Sequence, residues 1–327
     1  MTQDEGTSSK PEAKWRSWRK RRRTVLITGI AGRMGQALAR LLHRKVKVIG
    51  LDRRPCDALP KDVEFYQLDV RRRKAEDVFR RHTIDALIHL NIMYNPRRSA
   101  REHQEFNFLG TRKTLDLCHA HGVGKVVMLS SANVYGAAPT NDQFLTEEAP
   151  LMGGADAGTN WVRHLIAIDM YCSSFFWRHP EIETVILRPV HILGEVGSVA
   201  SNYLRLPYSP TVLGYDPMVQ VVHRDDVLSA IELALKPGIR GVYNLAGPGA
   251  VPLSRLLQLA GKRTVPVPEP LLRGLQGVLW RTKHAFPTQQ IDHIKYVCMV
   301  DDSRARTHMR YAPRHDLEAT LTAATQL

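Results

Sequence analysis

Acidic side chains are scarce beside basic ones in this 327-residue chain. Asp and Glu total 32 against 46 Lys and Arg, giving a formal charge of +14. Cysteine is scarcer still. Cys56, Cys118, Cys172 and Cys298 are far apart and form no Cys-x-x-Cys pair. This spacing excludes a disulfide scaffold and a compact cysteine zinc motif, and it implies reduced thiols in a cytoplasmic protein. Long apolar runs are also missing. No stretch reaches the roughly 18 residues a membrane-spanning helix needs. The first apolar run, 24–30, is too short for a secretion signal and no small-residue cleavage site follows it.

What remains is a chain with 43% hydrophobic residues, enough to bury a large core. Part of the positive charge sits in one place. Residues 1–23 carry a net +5, with Trp15 and Trp18 among the cations. Nothing in this stretch can pack a core, so it reads as a disordered basic arm. Such an arm attracts anionic surfaces through charge alone, and no specific nucleic-acid binding is expected of it.

From residue 24 onward, short β-branched runs alternate with helical stretches. Strands are expected at 24–28, 46–51, 64–67, 85–90, 125–130 and 184–188. Helices are expected at 34–43, 72–81, 106–121 and 161–178. The strands are nearly continuous apolar runs, as in a parallel sheet covered on both faces. The predicted class is α/β: a doubly wound parallel sheet spanning 24–188, with a smaller lobe over 189–327 that returns some segments to the sheet. Beyond Pro189 the rhythm breaks. A helix is expected at 223–235, a strand at 242–245, a helix at 252–260 and a Pro-rich connector at 266–270.

The first strand runs into Gly29, Gly32, Arg33, Met34 and Gly35, and a helix follows. Glycines at this spacing make a tight turn, let backbone approach a pyrophosphate and let the helix pack on the strand. The pyrophosphate then meets unpaired N–H groups at the positive end of the helix. Asp52 closes the second strand, placed for a ribose 2′-hydroxyl, which favours NAD. Arg53 and Arg54 follow and would suit a 2′-phosphate, leaving NADP open.

The glycine spacing resembles that of the extended short-chain dehydrogenase/reductases, a family that includes nucleotide-sugar epimerases and dehydratases. Further stretches are similar in the same order. They include Leu68-Asp69-Val70, Ile88-His89-Leu90-Asn91, Asn107 with Gly110-Thr111, and the run from Val127 through Ser131 and Asn133 to Tyr135-Gly136. Leu187-Arg188-Pro189, His223-Arg224-Asp225-Asp226 and Asp302-Ser303-Arg304 come later. The chain also resembles an actinobacterial sub-branch of UDP-glucose 4-epimerase-like proteins. The resemblance implies cofactor contacts from Asp69, Val70, Leu90, Asn91 and Asn107, and from Pro189, Val190 and His191 beside the nicotinamide. It assigns Ser131 the hydrogen bond to the reacting oxygen. Asn133, Arg224 and Arg263 are its candidates for the substrate. It also implies a homodimer through the helices at 106–121 and 161–178.

One part of that pattern is missing. The family's reaction uses a tyrosine with a lysine four residues later, a spacing that puts both on one helix face. None of the ten tyrosines here has a lysine at that distance. Counting back from Asp169 puts Trp161 and Leu165 at the two places; a slip of one gives Asn160 and His164. His164 is a candidate base because imidazole titrates near neutrality. Asp142, Glu147, Glu148, Arg163 and His191 are candidates by neighbourhood. Two functions follow: hydride chemistry on a nucleotide sugar or a related hydroxyl or carbonyl compound, or a non-catalysing NAD(P)-binding sensor or scaffold that acts through a partner.

Overall fold

The computed structural model describes residues 22–93, 99–151, 160–206, 208–279 and 291–325. Seven strands form one sheet: β1 (Thr24–Thr28), β2 (Lys47–Asp52), β3 (Glu64–Gln67), β4 (Ala86–His89), β5 (Lys125–Leu129), β6 (Glu183–Pro189) and a late strand, Gly241–Leu245. Three further strands are used below: β7 (His191–Leu193), β8 (Tyr208–Val212) and β9 (Val221–His223). The late strand is therefore β10. The sheet order is β10-β6-β5-β4-β1-β2-β3 and every pairing in it is parallel. The doubly wound reading holds, and β10 is the part of the C-terminal region that returns to the sheet.

Alternation along the strands divides the core in two. Val25 and Ile27 of β1 pack on one face, with Leu38 and Leu42 of α1 (Arg33–Leu42) and Ile231 of the helix Arg224–Ala234. Leu26 faces the other way. It packs with Val78 and Phe79 of α2 (Lys74–Arg81), Leu115 of α3 (Gly110–Ala120) and Phe175 of α4 (Asn160–Arg178). The helix Arg224–Ala234 is α5.

Three details depart from the sequence expectations. The helix expected over 106–121 starts earlier, at Ala100–His103, and passes through a π-helical turn at Gln104–Leu109 before α3. His223 is a cap, not the first helical residue: its Nδ1 accepts the Asp225 N–H at 3.1 Å. The connector expected at 266–270 overlaps a strand, β11 (Arg263–Val267), paired in parallel with β8. In this two-stranded ribbon each strand uses one hydrogen-bonding edge, so Pro266 and Pro210 fit without breaking a ladder on both sides.

The basic arm lies outside the described residues except at its root. There Arg22 bonds to the carbonyls of His43 and Val46, and Arg23 to that of Leu235 at 3.4 Å. These two side chains tie the root of the arm to the folded domain. No helix among the described residues is long and apolar enough to cross a membrane.

Candidate active site

A cleft of about 500 Å³ opens at the carboxyl ends of β1, β2, β4, β5 and β6, where open α/β sheets bind their ligands. Its floor is the glycine turn. A Cβ on Gly29 would lie 2.9 Å from the Leu90 and Asn91 backbone, and Gly29 has φ +78°. A Cβ on Gly35 would come within 2.5 Å of the Ile30 Cα. These two glycines are demanded by the protein's own packing. Gly32 leaves the cleft floor bare: a Cβ there would meet the Gly29 carbonyl at 3.2 Å and project over the turn.

Asp52 ends β2 and is 1% exposed. Its carboxylate accepts from the Ala31 N–H at 3.1 Å, so it ties the glycine turn to β2. Arg54 covers it, donating from its backbone N–H at 3.0 Å, from Nε at 3.1 Å and from Nη2 at 2.9 Å. The Arg53 guanidinium stacks 4.4 Å above the Phe106 ring. Two arginines therefore stand at the end where a dinucleotide's adenosine ribose would lie.

At the other end, β5 delivers Ser130 and Ser131. The Ser130 Oγ donates to Asp169 at 2.6 Å. Arg188 grips the same carboxylate through Nε at 3.0 Å and Nη2 at 2.5 Å, with both partners buried. Arg188 also donates to the Tyr135 hydroxyl at 2.8 Å, and that hydroxyl donates to Asn244 at 2.8 Å. Burial pushes Tyr135 up to about 12. This tyrosine is a fully engaged neutral strut below the site. Ser131 opens a short 3-10 turn and its Oγ accepts the Asn133 N–H at 3.2 Å, which leaves the hydroxyl proton available as a donor.

Most of the predicted residues share one wall. Gly29, Gly32, Arg33, Met34, Gly35, Asp52, Arg53, Leu90, Asn91, Ser131, Asn133, Pro189, Val190 and His191 all line the cleft. Six others do not. Asp69 is held by Arg71, through Nε at 2.9 Å and Nη2 at 2.6 Å, and Val70 is buried in the core. Asn107 acts one step back: it clasps the Met93 backbone at 2.7 and 3.0 Å and so fixes the chain that does form the wall. Arg224 is neutralised by Glu195 at 2.6 Å and Asp225 at 2.8 Å. Arg263 is exposed on β11, away from the cleft.

His164 lies with its ring against His103, centroids 6.3 Å apart, and is not on the cleft wall. Helical spacing instead puts Leu165 on the face of Asp169, and Leu165 is 1% exposed in the core. Counted back from Asp169, the lysine's position is therefore Leu165, an apolar core residue that, like His164, is not on the cleft wall. The side chains of Asn160 and Trp161 lie outside the described ones.

Among the described wall residues, the imidazole at the Ser131 end is His191. It meets His293 edge to face with centroids 5.6 Å apart. Burial pushes His191 down to about 4, while burial and the neighbouring His191 push His293 down to about 3. Both rings are neutral at pH 7. Beyond them lies an apolar cavity of about 50 Å³ lined by Leu193, Tyr203, Leu253 and Leu256. Sequence reasoning missed Arg54 as a clamp on Asp52, and Phe106, Ser198 and Ala200 as wall residues. Ser198 carries the one readable signal, a serine capping the helix that follows at Val199.

Comparisons with known proteins agree with this fold. Residues 25–246 match the NAD dependent epimerase/dehydratase family. An uncharacterized protein of Mycobacterium tuberculosis is 29% identical over 308 residues, covering 89% of this chain and 80% of that protein. UDP-glucose 4-epimerase 2 of Oryza sativa is 30% identical over 200 residues, covering 56% of this chain and 47% of that protein. Among solved structures, UDP-glucuronic acid 4-epimerase from Bacillus cereus, in complex with UDP-glucuronic acid and NAD, superposes with a TM-score of 0.73 at 16% identity. It covers 93% of this chain and 98% of that one. UDP-glucose 4-epimerase of Thermotoga maritima, with UDP-glucose, gives a TM-score of 0.70 at 19% identity, covering 93% and 97%.

Proposed function

Since the chain belongs to the NAD dependent epimerase/dehydratase family, we propose that it binds NAD in this cleft and performs hydride chemistry. The substrate is a nucleotide sugar or a similarly polar-headed hydroxyl or carbonyl compound. The observation that carries this reading is the continuity of one wall from the glycine turn and Asp52 to Ser131 and His191. When bound, the dinucleotide supplies the hydride acceptor and donor.

The chain's own residues do the rest. The bare backbone at Gly32 accepts a pyrophosphate against the start of α1. Asp52 takes the ribose hydroxyls once Arg54 gives up its bonds. The Ser131 Oγ–H hydrogen-bonds the reacting oxygen. The neutral His191 ring takes the hydroxyl proton on oxidation and returns it on reduction, in place of the missing tyrosine. A base held near pKa 4 is a weak one. A well-tuned acid/base is worth about 10²–10⁴ in rate, so turnover is slow by the family's standard.

Two features favour other readings. Arg53, with Arg54 once it leaves Asp52, would suit a 2′-phosphate and hence NADP. The apolar Leu165 in the lysine's place favours a non-catalysing NAD(P)-binding protein. A further part of the proposal is a cytoplasmic homodimer through α3 and α4, where Met170 and Trp177 are 59% and 78% exposed. Arg224 and Arg263, which do not reach the cleft, have no place in it.

The test is to purify the protein, identify any bound nucleotide by mass, and assay a panel of nucleotide sugars for cofactor reduction or interconversion. Turnover that disappears in Ser131→Ala supports the enzyme. Tight dinucleotide binding without turnover on any substrate of the panel favours the sensor.

A further inference from the structure

At the end of the sheet opposite the cleft, three ligand-type side chains converge from two neighbouring crossovers. His119 lies in the last turn of α3, which leads into β5. His179 extends α4 by one residue, its N–H bonding to the Phe175 carbonyl at 2.9 Å. Glu181 sits in the tight turn that follows, closed by the Ile182 N–H on the His179 carbonyl at 3.0 Å, and this turn leads into β6. The His119 and His179 rings are 4.1 Å apart.

The distances are informative. His119 Nδ1 is 3.4 Å and His179 Nδ1 is 3.3 Å from the same oxygen, Glu181 Oε1. Charge-assisted N–H···O bonds close to about 2.7–2.9 Å, so neither contact is a good hydrogen bond. With metal–ligand bonds of about 2.0–2.1 Å, two ligands of a tetrahedral zinc ion lie about 3.3–3.4 Å apart. The three donor atoms all lie within 4.8 Å of one another. Two electrostatic factors add to this. Both helices end here, so their carbonyl ends present negative potential to a cation. The carboxylate supplies a full negative charge. His119 and Glu181 keep about half of their side-chain surface exposed, 53% and 56%, which leaves a route for an ion and room for a fourth ligand from solvent.

We propose that His119, His179 and Glu181 form a binding site for a divalent transition-metal ion of the zinc class. The ion would staple the α3–β5 crossover to the α4–β6 crossover. Two imidazoles and one carboxylate suit zinc and disfavour magnesium or calcium. A second His/Asp group in the molecule, His223, Asp225 and His315, is a poorer candidate. The His223 Nδ1 is committed to the Asp225 N–H, and the Asp225 carboxylate to Arg224 at 2.8 Å.

Zinc chloride is titrated calorimetrically into the full chain, purified without a histidine tag, and Tm is followed in parallel. The expected result is one equivalent bound and a rise in Tm. His119→Ala and Glu181→Gln should each weaken binding at least about tenfold and abolish the rise, since even outer-sphere changes cost that much. Both positions are exposed, so folding should survive, and dinucleotide binding at the far end reports that it has. His223→Ala should leave zinc affinity and the zinc-induced rise in Tm unchanged, whatever its own effect on the starting Tm. Absence of binding by the wild-type chain overturns the proposal. So does binding unchanged in His119→Ala and Glu181→Gln, or binding lost in His223→Ala instead.

Discussion

At the glycine end of the cleft, recognition is written in backbone. Gly29, Gly32 and Gly35 contribute by lacking a side chain, and under the proposed function a phosphate would meet main-chain N–H donors there. At the Ser131 end, the proposed function depends on particular side chains, and the sequence has no tyrosine with a lysine four residues later to supply them. The first kind of site is protected by the fold: a Cβ at Gly29 or Gly35 collides with the protein itself, so the turn persists as long as the sheet does. The second kind has no such protection. Leu165 packs into the core, and the fold is at least as comfortable with it as with a buried lysine.

Several changes would break or sharpen this contrast. Gly35→Val should have the largest effect: loss of dinucleotide binding together with roughly 3 kcal/mol of stability from overpacking, read by urea unfolding and cofactor fluorescence. If binding survives in a folded protein, the backbone account of this end is wrong. At the other end, Ser131→Ala should lower kcat about 10²-fold with the dinucleotide Kd unchanged. An equal loss of cofactor affinity would show that the two ends are not separable.

His191→Phe should also cost about 10²-fold in kcat at pH 7. The wild-type pH profile sharpens that test. A base works in its neutral form, and burial holds His191 near 4, so activity should persist as pH falls through 6 and decline only toward pH 4. A limb near pH 6.5 would point to a solvated base elsewhere. Stability carries a related signature. Burial holds His89, His191 and His293 neutral with pKa values below the ordinary 6.5. The unfolded chain takes up those protons first, so Tm should fall as pH drops from about 6.5 toward 4 and stay level above that range. The smallest effect is expected from Arg54→Ala. Releasing Asp52 should improve NAD binding a few-fold, whereas a loss of NADP affinity with no gain for NAD would favour the 2′-phosphate reading.

The sheet was largely legible because its strands are short apolar runs and its order follows from parallel crossovers. The glycine turn and Asp52 were legible for the same reason: their residue types are dictated by local geometry. The failures come from contacts between distant parts of the chain. Pro266 suggested a connector, yet a two-stranded ribbon tolerates it. Asn107 looked like a wall residue, but its amide is spent on Met93 fourteen positions away. Arg224 looked free for a diphosphate until Glu195 was found beside it. The choice between His164 and Leu165 turned on one residue of helical phase, and only the direction of Asp169 fixes it.

The root of the basic arm has a consequence for where its charge can act. Arg22 and Arg23 are fastened to carbonyls just past the ends of α1 and α5, at the edge where β1 begins. The cleft opens where β1 ends. The last two arginines of the basic stretch are thus pinned at the end of the sheet opposite the cleft mouth, so their charge is held away from the pocket and cannot serve as a phosphate clamp within it.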